Sequence, residues 1–531
     1  MKTAYYNGRV YTGEGFATAF LIEDGVFTFC GNDRNALQLC DQKVDLEKRF
    51  VCAGFNDSHM HLLNFGQFLN MARLNEHTDS LKGMLEYVKT FKEEHGYKND
   101  QWLRGRGWNQ DLFTDINKMP DRWNIDEYVS DVPVILTRAC GHVCAVNSKA
   151  LELAGIDRDT VSPDGGDIGH KNGEPDGLFY DRAISLITST IPDPDKDTIK
   201  KLIESSCKEL NSYGITNSQT DDYGVFNVPF EMINQAYEEL DKEGKLTVRV
   251  NEQTNFTNVD VFNRFFETGR VRADRFRTGP LKMLGDGSLG GRTAWLSRPY
   301  DDDPSTSGFP LIDDQTMNEM VSIANRTGIP VAIHAIGDRC LDQVLDAIEK
   351  ALDECPREDH RHGIVHCQIS RRDQLERIIR LKLHVYAQSV FLDYDNHIVY
   401  QRAGKDLAET SYSWKTLMEN GVIISNGSDA PVELPDVLKG IECAVTRTSL
   451  DGTGPYLRDQ AFSVREAIDS FTVNGAIASF EEDFKGKIKS GYLADFVILD
   501  KDPFETAGKE IHNIKVLETY VGGKCVYRKG A

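Results

Sequence analysis

The first fifty residues alternate apolar and polar positions with the period of two expected of half-buried strands. Thr3–Tyr6 and Arg9–Thr12 flank Asn7-Gly8, a dipeptide that predicts a tight hairpin turn. Ala19–Phe29 repeats the pattern about Asp24-Gly25, and Leu493–Leu499 with Val516–Tyr527 repeats it near the other end of the chain. β-rich ends around a different middle predict one small β-sandwich assembled from both termini, residues 1–50 with 485–531.

The middle alternates short apolar runs with amphipathic stretches of helical period. Candidate strands are Phe50–Phe55, Ile215–Thr220, Leu246–Gln253, Gly279–Leu284, Ile329–His334, Gly363–Cys367, Leu383–Gln388 and Val422–Asn426. Helical patterns such as Asp197–Tyr213 and Gln315–Thr327 lie between most of them. Eight strands with intervening helices predict a closed parallel (β/α)8 barrel of TIM type, over 51–65 and 196–484. The gap of about 160 positions between Phe55 and Ile215 far exceeds the roughly 30 residues of a βαβ unit. Residues 66–195 therefore read as an inserted α/β subdomain, placed to serve as a lid. The predicted class is α/β throughout.

A chain of 531 residues accommodates this organisation as two or three domains. With 61 basic and 83 acidic residues its net charge is −22, a balance that repels nucleic acid and anionic membrane surfaces. No run approaches the roughly 18 apolar residues of a membrane helix, and the chain opens without an apolar signal segment. A cytoplasmic protein with no nucleic-acid or membrane partner is the expectation, with a homodimer as the assembly to test for. Eleven scattered cysteines without CxxC pairs, among them Cys30, Cys40, Cys140 and Cys144, read as reduced core thiols.

Chemistry in a parallel barrel sits at the C-terminal ends of the strands. His59 and His61 end the first predicted strand, two positions apart, so their imidazoles share a face. Such a pair also occurs as ordinary hydrogen-bonded polar residues, and the other strands decide between the readings. Lys282 lies in the fourth strand, His334 ends the fifth, His366 ends the sixth and Asp429 follows the eighth. Six polar groups at strand ends are hard to assign to packing, and they point to a metal site.

These residues resemble the amidohydrolase superfamily of metal-dependent hydrolases, in the branch that includes N-substituted formamide deformylase. The marks are Ser58–His61, Lys282 ahead of Asp286–Ser288, Ala332–Asp338, Val365–Gln368, Gly427–Pro431 and Gly491–Asp495. The insert matches through Gly105–Trp108, Gly141-His142 and Asn147–Leu151, so the resemblance spans essentially the whole chain. Val365 departs from it, standing where that branch often carries glutamate. The resemblance implies one or two divalent ions, zinc foremost, with His59, His61 and Asp429 on one and His334 with His366 on the other. It also implies a Lys282 carboxylated by carbon dioxide as a bridge, since an ammonium has no lone pair to offer a metal. The strand lysine paired with Asp286 is the alternative. Asp429 is then the catalytic acid and base, and the reaction is hydrolysis of a non-peptide carbon–nitrogen bond in a small-molecule substrate by a metal-activated hydroxide. A deaminase or lactonase on the same barrel, or a catalytically silent binding scaffold, are the competing functions.

Weaker signals complete the reading. Gly285–Gly290 matches GxGxxG by spacing, but Asp286 would face a pyrophosphate and no long helix follows, so an active-site loop is expected instead. Arg292, Arg138 and His142 are candidates for binding a polar or anionic part of the substrate, with a structural salt bridge the equal alternative for Arg292. Trp108 reads as a packed core aromatic.

Overall fold

The computed structural model describes residues 1–116 and 118–530. Residues up to Gly66 together with those from Asp195 onward form one compact unit, and Gln67–Pro194 form a second.

The first unit is built on an eight-stranded parallel sheet. Its strands are β1 (Phe55–Met60), β2 (Ile215–Thr220), β3 (Arg249–Asn255), β4 (Phe276–Leu284), β5 (Val331–Ala335), β6 (Gly363–His366), β7 (His384–Ala387) and β8 (Ile424–Asn426). They pair in sequence order, each with the next. Helices such as Lys196–Ser212, Phe230–Lys242, Asp314–Arg326 and Asp338–Glu354 run between them, each burying one apolar stripe. Asp195 and Asp313 cap two of these helices, accepting from the backbone of Thr198 and Thr316.

The seam between β8 and β1 is closed by side-chain and backbone hydrogen bonds. Ser58 Oγ donates to Asn426 O at 2.5 Å, Ser428 Oγ donates to Asp57 Oδ2 at 2.5 Å, and Asp429 N donates to His59 O at 2.8 Å. Gly427 permits this approach, because a Cβ there would stand 2.5 Å from His59 N.

Two sheets from the chain ends make the sandwich. One is four-stranded, ordered Val26–Gly31, Ala19–Glu23, Thr3–Tyr6, Gln42–Asp45. The other is six-stranded, ordered Lys524–Arg528, Val516–Val521, Phe496–Leu499, Phe50–Ala53, Arg9–Tyr11, Phe16–Ala17. Tyr5, Phe20 and Phe27 of the first sheet pack against Val51, Phe496 and Tyr520 of the second. A buried ion pair fixes the sandwich to the barrel: Arg249 Nε of β3 meets Asp495 Oδ2 at 2.7 Å.

Two local expectations are corrected here. Asn7-Gly8 is not a hairpin turn: Thr3–Tyr6 and Arg9–Tyr11 lie in different sheets, and the dipeptide carries the chain across between them. The run Phe50–Phe55 is not one barrel strand either. Phe50–Ala53 pairs with Phe496–Leu499 in the sandwich, and the barrel strand begins at Phe55. The Asp24-Gly25 hairpin does form, with Glu23 opposite Val26 and both turn residues at positive φ.

The second unit carries a six-stranded mixed sheet, ordered Gly166–Lys171, Glu174–Asp181, Val143–Val146, Val134–Arg138, Leu103–Trp108, Ala72–Arg73. Alternation divides its faces. Val134 and Leu136 pack with Met84 and Val88 of the helix Leu81–His95, while Ile135 packs with Ala150 and Leu151 of the helix Ser148–Ala154. Trp108 is buried in this core and donates to Leu136 O at 2.8 Å. Among the described residues all cysteines are free; Cys144 is buried, Cys30 and Cys40 are half-buried and Cys140 is exposed, so the four are not uniformly core thiols. Among the described residues, too, no helix is long and apolar enough to cross a membrane.

Candidate metal centre

The barrel places the six polar groups at its C-terminal end. His59 is the penultimate residue of β1 and His61 follows the strand; Lys282 lies near the end of β4, His334 in β5 and His366 at the end of β6. Asp429 follows β8 with φ 60°, and His366 has φ 74°. Left-handed backbone costs a non-glycine residue about 1–2 kcal/mol, and such residues collect where function holds them.

His59, His366 and Asp429 each offer a ligand atom within 4.8 Å of the other two. Asp429 Oδ1 lies 3.3 Å from His59 Nε2 and 3.0 Å from His61 Nε2, so both histidines of the pair reach one oxygen. The His334 and His366 rings are 4.5 Å apart between centroids. His366 is thus nearer its expected partner His334 than His59, whose ring centroid is 5.8 Å away, yet it still offers a ligand atom to the first group.

Three histidines have one ring edge fixed from behind. Gln253 Oε1 accepts from His59 Nδ1 at 2.7 Å, and its amide nitrogen donates to Ser58 O, which sets its orientation. Gln388 Oε1 accepts from His366 Nδ1 at 2.7 Å. Asp286 Oδ1 accepts from His334 Nδ1 at 3.0 Å, and the same carboxylate takes the backbone N–H of Trp295, Ile336 and Gly337. A donating Nδ1–H leaves Nε2 with its lone pair directed into the site, the arrangement seen behind metal-bound histidines.

The electrostatics agree. Burial pushes His59 below the usual imidazole range, helped by the Lys282 charge, and pushes His366 further below, helped by His334. Both shifts favour the neutral imidazole, the form a ligand must have. Burial opposes the Asp429 charge, but its contacts with the His59 and His61 imidazoles outweigh it and hold the carboxyl well below its ordinary value. Two imidazoles and an ionised carboxylate, buried and oriented, fit a divalent cation.

Asp221, directly after β2, is a residue that the sequence reading missed. It contacts His61 Nδ1 through Oδ1 and Lys282 Nζ through Oδ2, the latter at 3.0 Å. Asp286 is occupied by His334, so the suggested Lys282–Asp286 pair is replaced by Lys282–Asp221. Asp286 was named only as a family mark and a possible partner of Lys282, and Gln253 and Gln388 were missed, although they are the last residues of two predicted strands. The rule that selected the histidines would have selected them.

The other candidates are held in local networks. Arg292 places Nε and Nη2 on Asp302 at 3.1 and 3.0 Å, the structural salt bridge. Arg138 binds Gln110, Asn109 and Asp111, and His142 Nδ1 lies 2.9 Å from Asp181 Oδ1. Val365 is fully buried beside Ala332 and Tyr386.

Against this geometry the comparisons with known proteins are decisive. Residues 42–527 match the model of the amidohydrolase family. The chain belongs to that family. A Bacillus subtilis (strain 168) relative, "Putative amidohydrolase YtcJ", is 36% identical over the full length of both chains. N-substituted formamide deformylase of Arthrobacter pascens is 25% identical over 97% of this chain and 95% of its own. The crystal structure of an uncharacterized metal-dependent hydrolase from Pyrococcus furiosus superposes with a TM-score of 0.80 at 29% identity, covering 95% of this chain and all of that one. This amidohydrolase is accordingly a metal-dependent hydrolase acting on a small molecule.

Proposed function

We propose that this amidohydrolase cleaves an amide-type carbon–nitrogen bond, other than a peptide link, with a hydroxide generated at a zinc centre. The observation that carries the reading is the convergence of His59, His366 and Asp429 with both imidazoles oriented by glutamines. The choice of bond is supported by the likeness to N-substituted formamide deformylase across nearly the whole chain.

Two ions would be held, one by His59, His61 and Asp429 and the other by His334 and His366, with Lys282 offering carbamate oxygens as a further ligand. The modification adds carbon dioxide to the neutral Lys282 amine and releases one proton, giving the lysine two acceptor oxygens. Ions held there would polarise the scissile carbonyl and acidify a water molecule.

The chain's own groups handle the protons. Asp429 Oδ1 faces the two imidazoles, and among the described residues Oδ2 has no hydrogen-bond partner. Oδ2 accepts the proton of the attacking water and passes it to the departing amine nitrogen. His59 and His366, neutral and fixed at Nδ1, hold their positions throughout.

The test is a screen of purified, metal-analysed protein against N-formyl and N-acyl amines, with released amine as the readout. Amine release that follows zinc content is the expected result. Activity confined to ammonia release from amino-heterocycles, or to lactone opening, would replace the proposal with a deaminase or a lactonase.

A further inference from the structure

A second cavity, of about 560 Å³, opens at the other end of the barrel, where β4 and β5 begin. Its volume lies within the range of roughly 300–1,000 Å³ typical of small-molecule sites. Its wall includes Arg270, Arg272, Arg277, Arg357, Asn251 and Phe480. Four guanidinium groups on one cavity are not a by-product of composition in a chain of net charge −22.

Little protein charge answers them. Among the described residues no carboxylate lies within 4.0 Å of Arg270, Arg272 or Arg357; Arg277 alone is paired, with Glu481 at 3.0 Å. Glu481 is also shared with Lys485 and Ser479. Arg357 spends its donors on the carbonyls of Asn325, Gly328 and Ile329, and neighbouring Asp359 is taken bidentately by Arg361. Arg272 and Arg277 are direct partners in an antiparallel bridge. Like charges placed opposite one another destabilise a strand pair unless an anion lies between them. Burial, with the Arg272 and Arg249 charges, pushes the Arg277 guanidinium below its ordinary value against the attraction of Glu481.

Two features shape the cavity for more than a bare ion. Asn251 is 5% exposed and its Oδ1 has no hydrogen-bond partner. Its amide lies against Gly279, where a Cβ would stand 2.3 Å from that oxygen, so glycine keeps the polar end of the cavity open. Phe480 is 41% exposed, with the Arg361 guanidinium 3.9 Å above its ring, and it gives the cavity an apolar flank.

From this arrangement we infer that the cavity at the strand beginnings binds an organic phosphate: a phosphoryl group on the arginines, with an apolar or aromatic body along Phe480. Planar guanidinium groups match phosphate oxygens bidentately, and two or more of them suit a dianion better than a single carboxylate. The Asn251 amide then serves a hydroxyl or amino group of the same molecule. This inference is independent of the bond cleaved at the metal centre.

Calorimetry with phenyl phosphate, inorganic phosphate and benzoate tests it, on metal-loaded and metal-stripped protein. One phenyl phosphate per chain is expected, bound more tightly than the other two probes and retained after metal removal. Arg270→Gln with Arg272→Gln, both at exposed positions, should weaken binding by about 100-fold at low salt, roughly tenfold per lost charge-assisted contact. Phe480→Ala should erase the advantage of phenyl phosphate over inorganic phosphate. No saturable binding below about 10 mM, a weak limit for any specific site, would overturn the proposal. So would binding unchanged in the double variant, binding that disappears with the metal, or benzoate binding as tightly as phenyl phosphate.

Discussion

Lys282 Nζ lies 3.0 Å from Asp221 Oδ2, with both side chains shut off from solvent. Removing one partner of such a pair leaves a buried charge without compensation, which costs about 3–5 kcal/mol. Asp221→Asn is therefore expected to lower the stability of the metal-free protein by that order, as read from urea unfolding. A loss under about 1 kcal/mol would mean that water or relaxation solvates Lys282, as at exposed pairs.

The same contact bears on carboxylation. A carbamate at Lys282 would set an anion beside the Asp221 carboxylate, and the attraction between them would become repulsion. Carboxylation is then expected only with metal bound. In ¹³C-bicarbonate a carbamate resonance should appear in the metal-loaded protein and vanish on chelation. Its absence from fully loaded protein would leave Lys282 an amine and remove the proposed ligand.

Asp429 combines metal binding with proton transfer in the proposed mechanism, and substitution separates the two. Asp429→Asn keeps an oxygen for the ion but no basic oxygen, so most metal should remain while kcat falls by ~10²–10⁴-fold. His334→Asn should instead lower metal content first. Near-normal turnover of the Asp429 variant at full occupancy would send the proton by another route.

Gln253 and Gln388 orient His59 and His366 through their Nδ1 atoms, on the ring edges away from the proposed metal. Loss of such supporting hydrogen bonds typically weakens metal binding by about 10–100-fold. Gln253→Ala and Gln388→Ala are each expected to show this in competition with a chelating dye. Unaltered affinity in both would show that packing alone holds the imidazoles.

Asp395 supplies a pH signature away from the metal. Burial, with help from Glu433, raises its carboxyl to about 6 against hydrogen bonds from Tyr412 and Gln368. A folded-state value above the unfolded one means the folded chain binds this proton more tightly. Its contribution is fully present below about pH 4, the unfolded carboxyl range, and is lost as pH rises through about 6. Asp395→Asn, which cannot ionise, should be more stable than the parent by about 1–3 kcal/mol at pH 7 and gain little at pH 4. Unfolding curves at the two pH values check this; an equal difference at both would point to packing.

The barrel was legible because period and position coincide. Strands such as Ile215–Thr220 are bounded as the alternation suggests, and His334 and His366 stand at strand ends where a parallel barrel carries chemistry. The local pattern failed where burial was arranged from a distance. Asn56, Asp57 and Ser58 lie past the predicted strand limit at Phe55, yet they are buried strand, with Ser58 and Asp57 meeting Asn426 and Ser428 across the seam. The Asn7-Gly8 turn signal yielded to pairings with Ala19–Glu23 and Phe50–Ala53, which divide its flanking strands between two sheets. Asp221 was invisible for the same reason: its partners His61 and Lys282 are remote in the chain. Side-chain types and spacings determined which groups could bind a metal. Tertiary structure decided which buried polar atoms meet, because a group taken out of water is tolerable only where the fold brings it a partner.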